Sequence, residues 1–360
     1  MTASGSNFRV PQVNFYRAVQ GHEPETIARA VALTFLGQRA EHWSSARLAG
    51  FTGFFRQLGF KGTAEWKEEV VYHDPARPAR TAVFPDGGEA VVAPGQDPRE
   101  VLADWLVGDE GSGLARCAVN RVWAWLMGRG IVHEADDLRP DNPPSHPALL
   151  AWLEHELVAS GWDLRHVYRL ILGSQTYALS CVPRDDDQAT EAMFACAILA
   201  QLDAEVLLDA IDGITGTTDS FSSAIPEPFT YLPPEAPAVT IPDGSITSPF
   251  LEMFGRPARD TGLMSERGRD CSAEQRLHLL NSGHVQRKLE QGPRLRTLLQ
   301  SRKPLPEVVE DLYLTILSRY PTDAEVEVLK RYVAAGKDRR AAGLDVAWAL
   351  VNGAEFQFRH

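Results

Sequence analysis

The chain has 360 residues, enough to bury a substantial hydrophobic core in one large domain or two. Its hydrophobic fraction of 44% and its charged fraction of 23% are ordinary for a globular protein. The formal net charge of −12 argues against general binding to nucleic acids or anionic membranes, because phosphate contacts need clustered lysine and arginine. No stretch approaches the length of a membrane span, so the sequence predicts neither a nucleic-acid partner nor a membrane span.

The cysteine pattern does not indicate a bound metal or haem. The four cysteines share no Cys-x-x-Cys spacing and lie far apart, at Cys117, Cys181, Cys196 and Cys271. A zinc site or a covalent haem needs cysteine and histidine at short, regular spacings. The sequence therefore predicts no metal site and no cofactor, and Cys117 and Cys196, which lie in apolar helical runs, are interpreted as buried thiols.

The first part of the chain is predicted to be helical as far as residue 58. One helix extends from Pro24 to about Gly37 and a second from Ser44 to Leu58. Residues 70–95 then carry apolar runs on both sides of Asp86-Gly87-Gly88, a pattern typical of a β-hairpin. We divide the chain accordingly into an N-terminal helical segment, a hairpin or linker, and a helical domain, at residues 1–75, 76–96 and 97–360.

Three helices with clear start and stop signals are predicted in the middle of the chain. The first runs from Leu114 to Met127, and the second is capped by Ser145 or His146 and ends at Gly161. The third begins at Asp163, a favourable capping residue. The face of the first helix that is predicted to be buried comprises Leu114, Ala118, Val122, Trp125 and Leu126.

The loop between the first two of these helices, residues 129–146, carries the first candidate site. It offers candidate acid–base groups, which are Asp136, Asp137 and His146. Candidate ligand-binding groups lie in the loop or just before it, and these are Arg121, Arg139 and Asn142. The alternative interpretation is that the acids and arginines close helix ends and brace the loop by hydrogen bonds, because no complete metal spacing or nucleophile partner is present.

The second candidate site follows Phe254-Gly255 and includes Arg256, Arg259 and Glu266. Several guanidinium groups near a glycine can hold a carboxylate, a sulfate or a phosphate in a bidentate manner. The alternative is an internal ion-pair network with the neighbouring acids. An enzyme built from both candidate sites would need this segment and the 129–146 loop to meet in one pocket.

The remaining segments are predicted to be helices around one long loop. A helix is predicted from about Ala189 to Gly213, followed by a proline-rich ordered loop at 215–250 with a strand or two laid over the helices. His278, in a helix from Ala273 to Asn281, is interpreted as a hydrogen-bonded core residue. The last predicted helices are Pro306–Leu317, one that Thr322 or Asp323 caps and that reaches about Ala335, and Leu344–Asn352.

Several segments of the chain match, in order, the pattern of one known family. They are the run from Asn120 to Tyr177, AEVLLDAIDGITG (204–216), FGRPARDT (254–261), LHLLNS (277–282), LYLTILSRYPTDAE (312–325) and the ending VNGAEFQFRH. With these motifs the chain resembles the planctomycete PSD1 family, the domain of unknown function 1553, from about Asp97 to His360. The resemblance implies a shared fold unit and leaves the activity open, because no reaction is established for the family.

Residues before about 75 resemble the tail of the cytochrome-associated domain that usually precedes this family. Relatives are typically exported and often carry a haem-type Cys-x-x-Cys-His upstream. Where they commonly have cysteines the chain reads FLGQRAEHW (35–43), and where they often have Cys-x-Cys-Glu-Arg it reads LMSER (263–267), so a redox role is not supported. The N-terminal residues lack the pattern of a secretory signal, which predicts a cytoplasmic protein for the chain as written and an exported one if it is a truncated family member.

The fold predicted from these patterns is mainly α, an irregular multi-helical bundle with a short β-hairpin and a long ordered proline-rich loop. No Gly-rich phosphate loop, nucleophile elbow or His-Glu-x-x-His motif is present. The leading hypothesis is a non-catalytic binding or scaffold component of an assembly, with a protein partner and with an anionic glycan or small anion as a further ligand. The alternative is a hydrolase- or lyase-like enzyme that acts on an anionic substrate, such as a glycan, through an Asp/His/Arg pocket.

Overall fold

The computed structural model describes residues 15–16, 19, 22–62, 69–78, 81–108, 113–182, 192–223, 231–241, 244–257, 266–268, 270–334 and 338–359. Within these residues the fold is mainly α, as the sequence predicts. Two compact units are distinguished. Unit 1 takes the described residues up to Ile198 together with Glu266, and unit 2 takes those of Leu199–Ala258 and Arg267–His360. The domain boundaries predicted at residues 76 and 97 stay predictions.

Unit 1 contains two helices that pack against each other, α1 (Pro24–Leu36) and α2 (Ser45–Thr52). α1 ends at Gly37, whose φ of +62° lies in the left-handed region that favours glycine. The helix predicted to reach Leu58 is shorter than expected, because the chain tightens into a 3₁₀ turn at Gly53–Phe55. The buried faces of these elements form the first core of unit 1, with Phe51 and Phe54 among its largest side chains.

A two-stranded antiparallel sheet follows, formed by β1 (Leu58–Gly62) and β2 (Glu69–His73). The turn predicted at Asp86-Gly87-Gly88 is present, and it is closed by a hydrogen bond from the Phe84 N–H to the Gly88 carbonyl at 2.8 Å. The strands predicted on either side of it are reduced to a single bridge between Val83 and Glu89. Ala82, Phe84 and Ala90 face the first core, but Val91 beyond them is 89% exposed, so the buried face ends before the ribbon could extend its pairing.

The three helices predicted in the middle of the chain are confirmed as α4 (Leu114–Met127), α5 (Pro147–Ala159) and α6 (Leu164–Leu172). They follow α3 (Pro98–Val107). α4, α5 and α6 pack against one another and form the second core of unit 1. The predicted buried face of α4 is partly wrong, because Trp125 is exposed while Asn120 and Arg121 are buried. The interior partners of these two polar side chains come from other segments of the chain, and they are described below.

Unit 2 is built around α7 (Ala204–Thr215), in which Leu207, Leu208 and Ile211 are fully buried. Its other helices are α8 (Pro249–Met253), α9 (Ala273–Asn281), α10 (Gly283–Gln291), α11 (Pro293–Leu299), α12 (Leu305–Leu317), α13 (Asp323–Ala334), α14 (Arg339–Val351) and α15 (Ala354–Gln357). α7 packs against α8, α10 and α11, and α12 packs against α14. In the described parts of both units, none of the helices combines the length and the apolar composition needed to cross a bilayer.

The helix predicted from Ala189 to Gly213 is wrong in its first half. Residues 183–191 lie outside the described residues, and α7 begins only after Asp203. The residues just before it form β3 (Ala200–Gln201), which pairs antiparallel with β6 (Phe358–Arg359). Pairing with a strand more than 150 residues later overrides the local helical pattern, as tertiary contacts commonly do.

The proline-rich loop predicted at 215–250 carries one pair of short strands, β4 (Ser222–Ser223) and β5 (Ile246–Thr247). Residues 224–230 and 242–243 of this loop lie outside the described residues. Asp209 of α7 holds the loop on the helix, because its carboxylate accepts hydrogen bonds from the Ala238 and Val239 N–H groups at 2.6 and 3.0 Å.

Candidate functional site

Asn120 of α4, which has no exposed surface, anchors the 129–146 loop of unit 1. The Asn120 amide donates to the carbonyls of Val132 and Ala135 at 3.1 and 3.3 Å, and its oxygen accepts from the Val132 N–H at 2.9 Å. Gly130 packs closely here, since a Cβ at this position would lie 3.1 Å from the Asn120 amide nitrogen and 2.3 Å from the Val132 carbonyl oxygen. A buried side chain thus replaces water as the partner of the loop backbone.

Arg121, the next residue of α4, connects three segments of unit 1. Its Nε donates to the Asp136 carboxylate at 2.7 Å, and its two terminal nitrogens donate to the carbonyls of Leu33 and Thr34, the Leu33 bond at 2.9 Å. The Asp136 side chain is 4% exposed and that of Arg121 is 11% exposed. Carbonyls in the last turn of a helix lack partners within the helix, so the guanidinium closes the end of α1.

The same buried environment shifts the pKa of the nearby Cys117 thiol. Burial raises the pKa of the Cys117 thiol to about 11, with the Arg121 guanidinium partly offsetting the effect and the Asp136 carboxylate adding to it. Cys117 is therefore an un-ionised core side chain at neutral pH, as the sequence analysis expects.

Asp137, Arg139 and Asn142 form a second set of contacts within the loop. The Arg139 Nε lies 2.9 Å from the Asp137 carboxylate as an ion pair, at an angle that forms no hydrogen bond. The Asn142 amide donates to the Asp137 carbonyl at 2.9 Å, and the Asn142 N–H donates to the Arg139 carbonyl at 3.0 Å. These contacts fix the loop backbone and direct the Arg139 guanidinium to one edge of it.

His146 is placed apart from these groups at the N-cap of α5, where its side chain makes no capping hydrogen bond. Its Nδ1 lies 3.1 Å from the Ser145 hydroxyl, and its ring meets the Phe194 ring with centroids 5.7 Å apart. Asp136, Asp137 and His146 therefore each have different described partners. Their joint role as acid–base groups stays a prediction.

Beside the loop, unit 1 contains an open cleft of about 530 Å³. The volume is within the usual range of ligand pockets, roughly 300–1,000 Å³. The apolar part of its wall is made by Leu36, Pro85, Trp105, Val132, Leu138, Pro140, Pro143, Pro144 and Leu150. The polar part contains two predicted ligand-binding residues, Arg139 and Asn142, together with Gln38, Arg47, Asp86, Arg116 and Glu154.

The three arginines of this cleft make different stabilising contacts. The Arg47 guanidinium stacks on the Trp43 ring at 4.0 Å and donates to the Pro85 carbonyl at 2.9 Å. Burial lowers the pKa of Arg47, which nevertheless stays charged at neutral pH. Arg116, in the first turn of α4, donates its Nε to Glu154 of α5 at 3.2 Å. Three guanidinium groups that line one cleft can bind a carboxylate or another planar anion.

Arg47, Arg116 and Trp105 could not be predicted from the sequence, because no local pattern connects them. They lie on α2, α4 and α3, and only packing in unit 1 brings them to the same cleft. One signal was available. Arg116 and Glu154 lie outside the apolar stripes of two helices that are consecutive in the chain.

The second candidate site, in unit 2, is an ion-pair cluster. Arg267 binds Glu205 of α7 with two hydrogen bonds, at 2.8 and 3.1 Å, and the buried Arg256 lies 3.6 Å from the same carboxylate. Glu205 is 2% exposed, and Arg256 also donates to the Ile246 carbonyl. The hydrogen bonds to the Glu205 carboxylate raise the pKa of Arg267, although burial opposes them. This arrangement matches the alternative interpretation of the segment, an internal ion-pair network.

Two further predicted residues of this segment belong elsewhere. Arg259 lies outside the described residues, and Glu266 is half-buried in unit 1. Whether the two candidate sites meet in one pocket stays a prediction. In the parts of the chain that the structure describes, no group of three or more His, Cys, Asp or Glu side chains is placed to hold a metal ion.

Comparison with known families gives one match. The model of the PSD1 family, whose description is "protein of unknown function (DUF1553)", matches residues 98–333. No curated protein matches the chain, and no solved structure matches it. The matched segment contains α3 to α6 of unit 1 and most of unit 2.

Proposed function

Because the chain belongs to the PSD1 family, whose description assigns no function, we propose from its own residues that it is a non-catalytic binding component of a protein assembly. The cleft of unit 1 is the surface on which it holds an acidic segment of a protein partner. The observation that carries the proposal is the set of three arginines, Arg47, Arg116 and Arg139, that line this cleft.

The charge of the cleft supports an acidic partner. Three arginines and two carboxylates, Asp86 and Glu154, line this cleft in a protein whose net charge is −12. A lining richer in arginine than in carboxylate attracts an anionic segment. A guanidinium has five N–H donors, and Arg116 uses one of them on Glu154, so its planar edge can still bind a carboxylate.

The apolar wall supports a peptide as the bound form of that acid. Trp105 is stacked on Phe84, with ring centroids 5.0 Å apart and an interplanar angle of 16°, which holds the indole rigid. Rigid aromatic and proline surfaces beside fixed charges are typical of clefts that bind extended peptides, because little side-chain entropy is lost on binding.

The loop acids support a non-catalytic role. Asp136 is engaged with Arg121 in the interior, and Asp137 is paired with Arg139. A general acid or base must reach the reacting group directly or through one water molecule, and a buried carboxylate that stabilises a helix end is poorly suited to that task.

Native mass spectrometry of the protein isolated from its own cells tests this proposal. The wild-type protein should carry a partner, and the Arg116→Gln/Arg139→Gln variant should lose it. Arg169→Gln is the matched control, since Arg169 is 72% exposed on α6 and does not line the cleft. A wild-type protein isolated as a bare monomer, or equal partner retention by all three proteins, would contradict the proposal.

One observation favours the second candidate function, a hydrolase- or lyase-like enzyme. Arg139 and Asn142, both assigned to its pocket from the sequence, do line the cleft. Incubating the protein with an acidic oligosaccharide tests it, with Asp137→Asn as the inactive variant. Turnover that this variant abolishes would favour the enzyme, and the absence of turnover in the wild type would remove this candidate for that substrate.

A further inference from the structure

Unit 2 contains a network of charged side chains that neither candidate site uses. Its centre is Lys288 of α10, whose side chain is 7% exposed. The Lys288 ammonium binds the Asp212 carboxylate at the end of α7 and the Asp219 carboxylate, the latter at 2.9 Å. It also lies 3.1 Å from the hydroxyl of Thr217, which donates to Asp212 at 2.7 Å.

Two histidines extend this network from α10 to α9. The Nε2 of His284 lies 2.9 Å from the Asp219 carboxylate, and its Nδ1 lies 3.5 Å from the Nε2 of His278. With both rings neutral, each contact has one donor and one acceptor. His278 donates to His284, which donates to Asp219. The contact between the two imidazoles thus joins consecutive helices that only Ser282 separates in the chain.

The groups facing the two imidazoles can be assigned element by element. α10 contributes Lys288, and the end of α7 with the following loop contributes Asp212 and Asp219. α8 contributes the uncharged Phe250 ring, whose centroid is 5.6 Å from that of His278 and 5.7 Å from that of His284. The same helix end presents Phe254 to His278, and α14 meets α9 through a hydrogen bond from the Trp348 indole to the Leu280 carbonyl.

The pKa values of the two aspartates in the network are shifted in opposite directions. For Asp219, burial alone would raise the pKa, but hydrogen bonds from His284 and Lys288 outweigh it and the pKa is lowered. For Asp212, burial prevails over its hydrogen bonds and the pKa is raised. For His278, burial and then the neighbouring His284 lower the pKa. The environment of His278 therefore resists the second proton of the pair.

The net charge of the network also disfavours a second proton on the histidine pair. With Lys288 charged and both aspartates ionised, the network has one negative charge in excess while the imidazoles are neutral. One added proton neutralises it. A second proton leaves an excess positive charge and places an N–H of His278 against an N–H of His284, a contact that has two donors and no acceptor.

From this geometry we propose that the His278–His284 contact is a proton-operated latch between α9 and α10. It stays closed while the pair carries at most one proton and opens when both imidazoles are protonated. The latch uses residues of unit 2 only, so it is independent of the ligand of the cleft.

The sign of the effect follows from linkage. An opened or unfolded segment has an ordinary histidine pKa of about 6.5, whereas that of closed His278 is lower, so the open form binds more protons as the pH falls. The stability of the closed form is therefore lost as the pH falls through and below about 6.5. Asp219 has a lowered pKa, so it stays ionised between pH 7.5 and 5.5 and does not contribute to the pH response in this range.

Hydrogen–deuterium exchange of the full chain at pH 7.5 and 5.5, corrected for the intrinsic pH dependence of exchange, tests the latch. Peptides covering α9 and α10 should lose protection at pH 5.5 relative to α12, by up to about tenfold, because pH 5.5 lies one unit below the open-form histidine pKa of about 6.5. His278→Gln should abolish this pH response, because glutamine occupies the site without taking a proton. His155→Gln, an exposed histidine of α5, is the matched control and should behave as the wild type.

Unchanged protection in the wild type, or an equal pH response in His278→Gln, would overturn the proposal. Should that variant fail to fold, an NMR titration of the wild-type imidazoles decides. His278 should then titrate below the ordinary histidine pKa of about 6.5, with exchange in α9 and α10 rising as it gains its proton. Titration of His278 at or above that value, or exchange that does not follow it, would equally overturn the latch.

Discussion

The Arg121 guanidinium and the Asp136 carboxylate form an ion pair at 2.7 Å inside unit 1, and the same guanidinium closes the last turn of α1. One side chain of α4 thereby fixes both the candidate loop and the helix beside it. This ion pair stabilises the fold of unit 1, because removing either partner would leave an uncompensated charge in the interior.

Replacing Arg121 by Met should destabilise the protein by about 3–5 kcal/mol, because Asp136 would stay buried without its counter-charge. Urea unfolding followed by circular dichroism measures the change. Arg169→Met, at an exposed position of α6, is the matched control and should change the stability by less than about 0.5 kcal/mol. Equal stability of the two variants would show that the Arg121 pair does not support the fold.

Replacing Asn120 by Ala should cost about 1–3 kcal/mol for the buried groups left unpaired, above all the Val132 N–H. Asn281→Ala provides the control, since Asn281 is an exposed helical residue and both changes raise helix propensity equally. The same unfolding experiment compares them. The interpretation of Asn120 as the loop anchor would be wrong if both variants were as stable as the wild type.

Replacing Gly37 by Ala should cost more than replacing Gly161 by Ala. Both glycines have positive φ, +62° and +70°, so both variants carry the left-handed penalty of about 1–2 kcal/mol. A Cβ at Gly37 would also lie 3.1 Å from the Cys117 sulfur and 3.2 Å from Leu138, whereas a Cβ at Gly161 meets open space. The difference in unfolding free energy between the two variants isolates this crowding, and no difference would contradict the close packing described at the end of α1.

Cys117 should resist alkylation in the folded protein at pH 8, whereas the exposed Cys271 should react. With a pKa of about 11, only about one Cys117 thiol in a thousand is ionised at this pH, and burial also blocks access. Mass spectrometry after a short iodoacetamide pulse measures both sites, and a pulse in urea is the control in which both should react. Rapid labelling of Cys117 in the folded chain would contradict its placement.

Helix ends in the middle of the chain could be predicted because their signals are local. Pro147 at the first turn of α5, Asp163 at the cap of α6 and the glycine after α4 act within a few residues of the ends they define. The start of α7 could not be predicted in the same way. Ala200–Gln201 read as helix locally, and only their pairing with Phe358–Arg359 determines otherwise.

For the candidate sites too, local features could be predicted from the sequence and long-range contacts could not. The side chains of the 129–146 loop could be singled out from their density of charge, and the contacts of Asp137 and Asn142 lie within a few residues. The polar interior of α4 could not, because Arg121 is buried only by virtue of carbonyls some 87 residues earlier in the chain. His278 was interpreted as a single core histidine, since nothing local connects it to Asp219, which faces its neighbour His284.

The bonds of Arg121 to Leu33 and Thr34 also bear on how far the family segment is self-sufficient. The family match begins at residue 98, inside the first turn of α3, whereas these two acceptors lie more than sixty residues before it. A chain trimmed to the matched segment would retain the Arg121 guanidinium but would lose the Leu33 and Thr34 carbonyls, which accept hydrogen bonds from its two terminal nitrogens. The evolutionary unit recognised by sequence and the physical unit that folds thus have different N-terminal limits, and α1 belongs to the second.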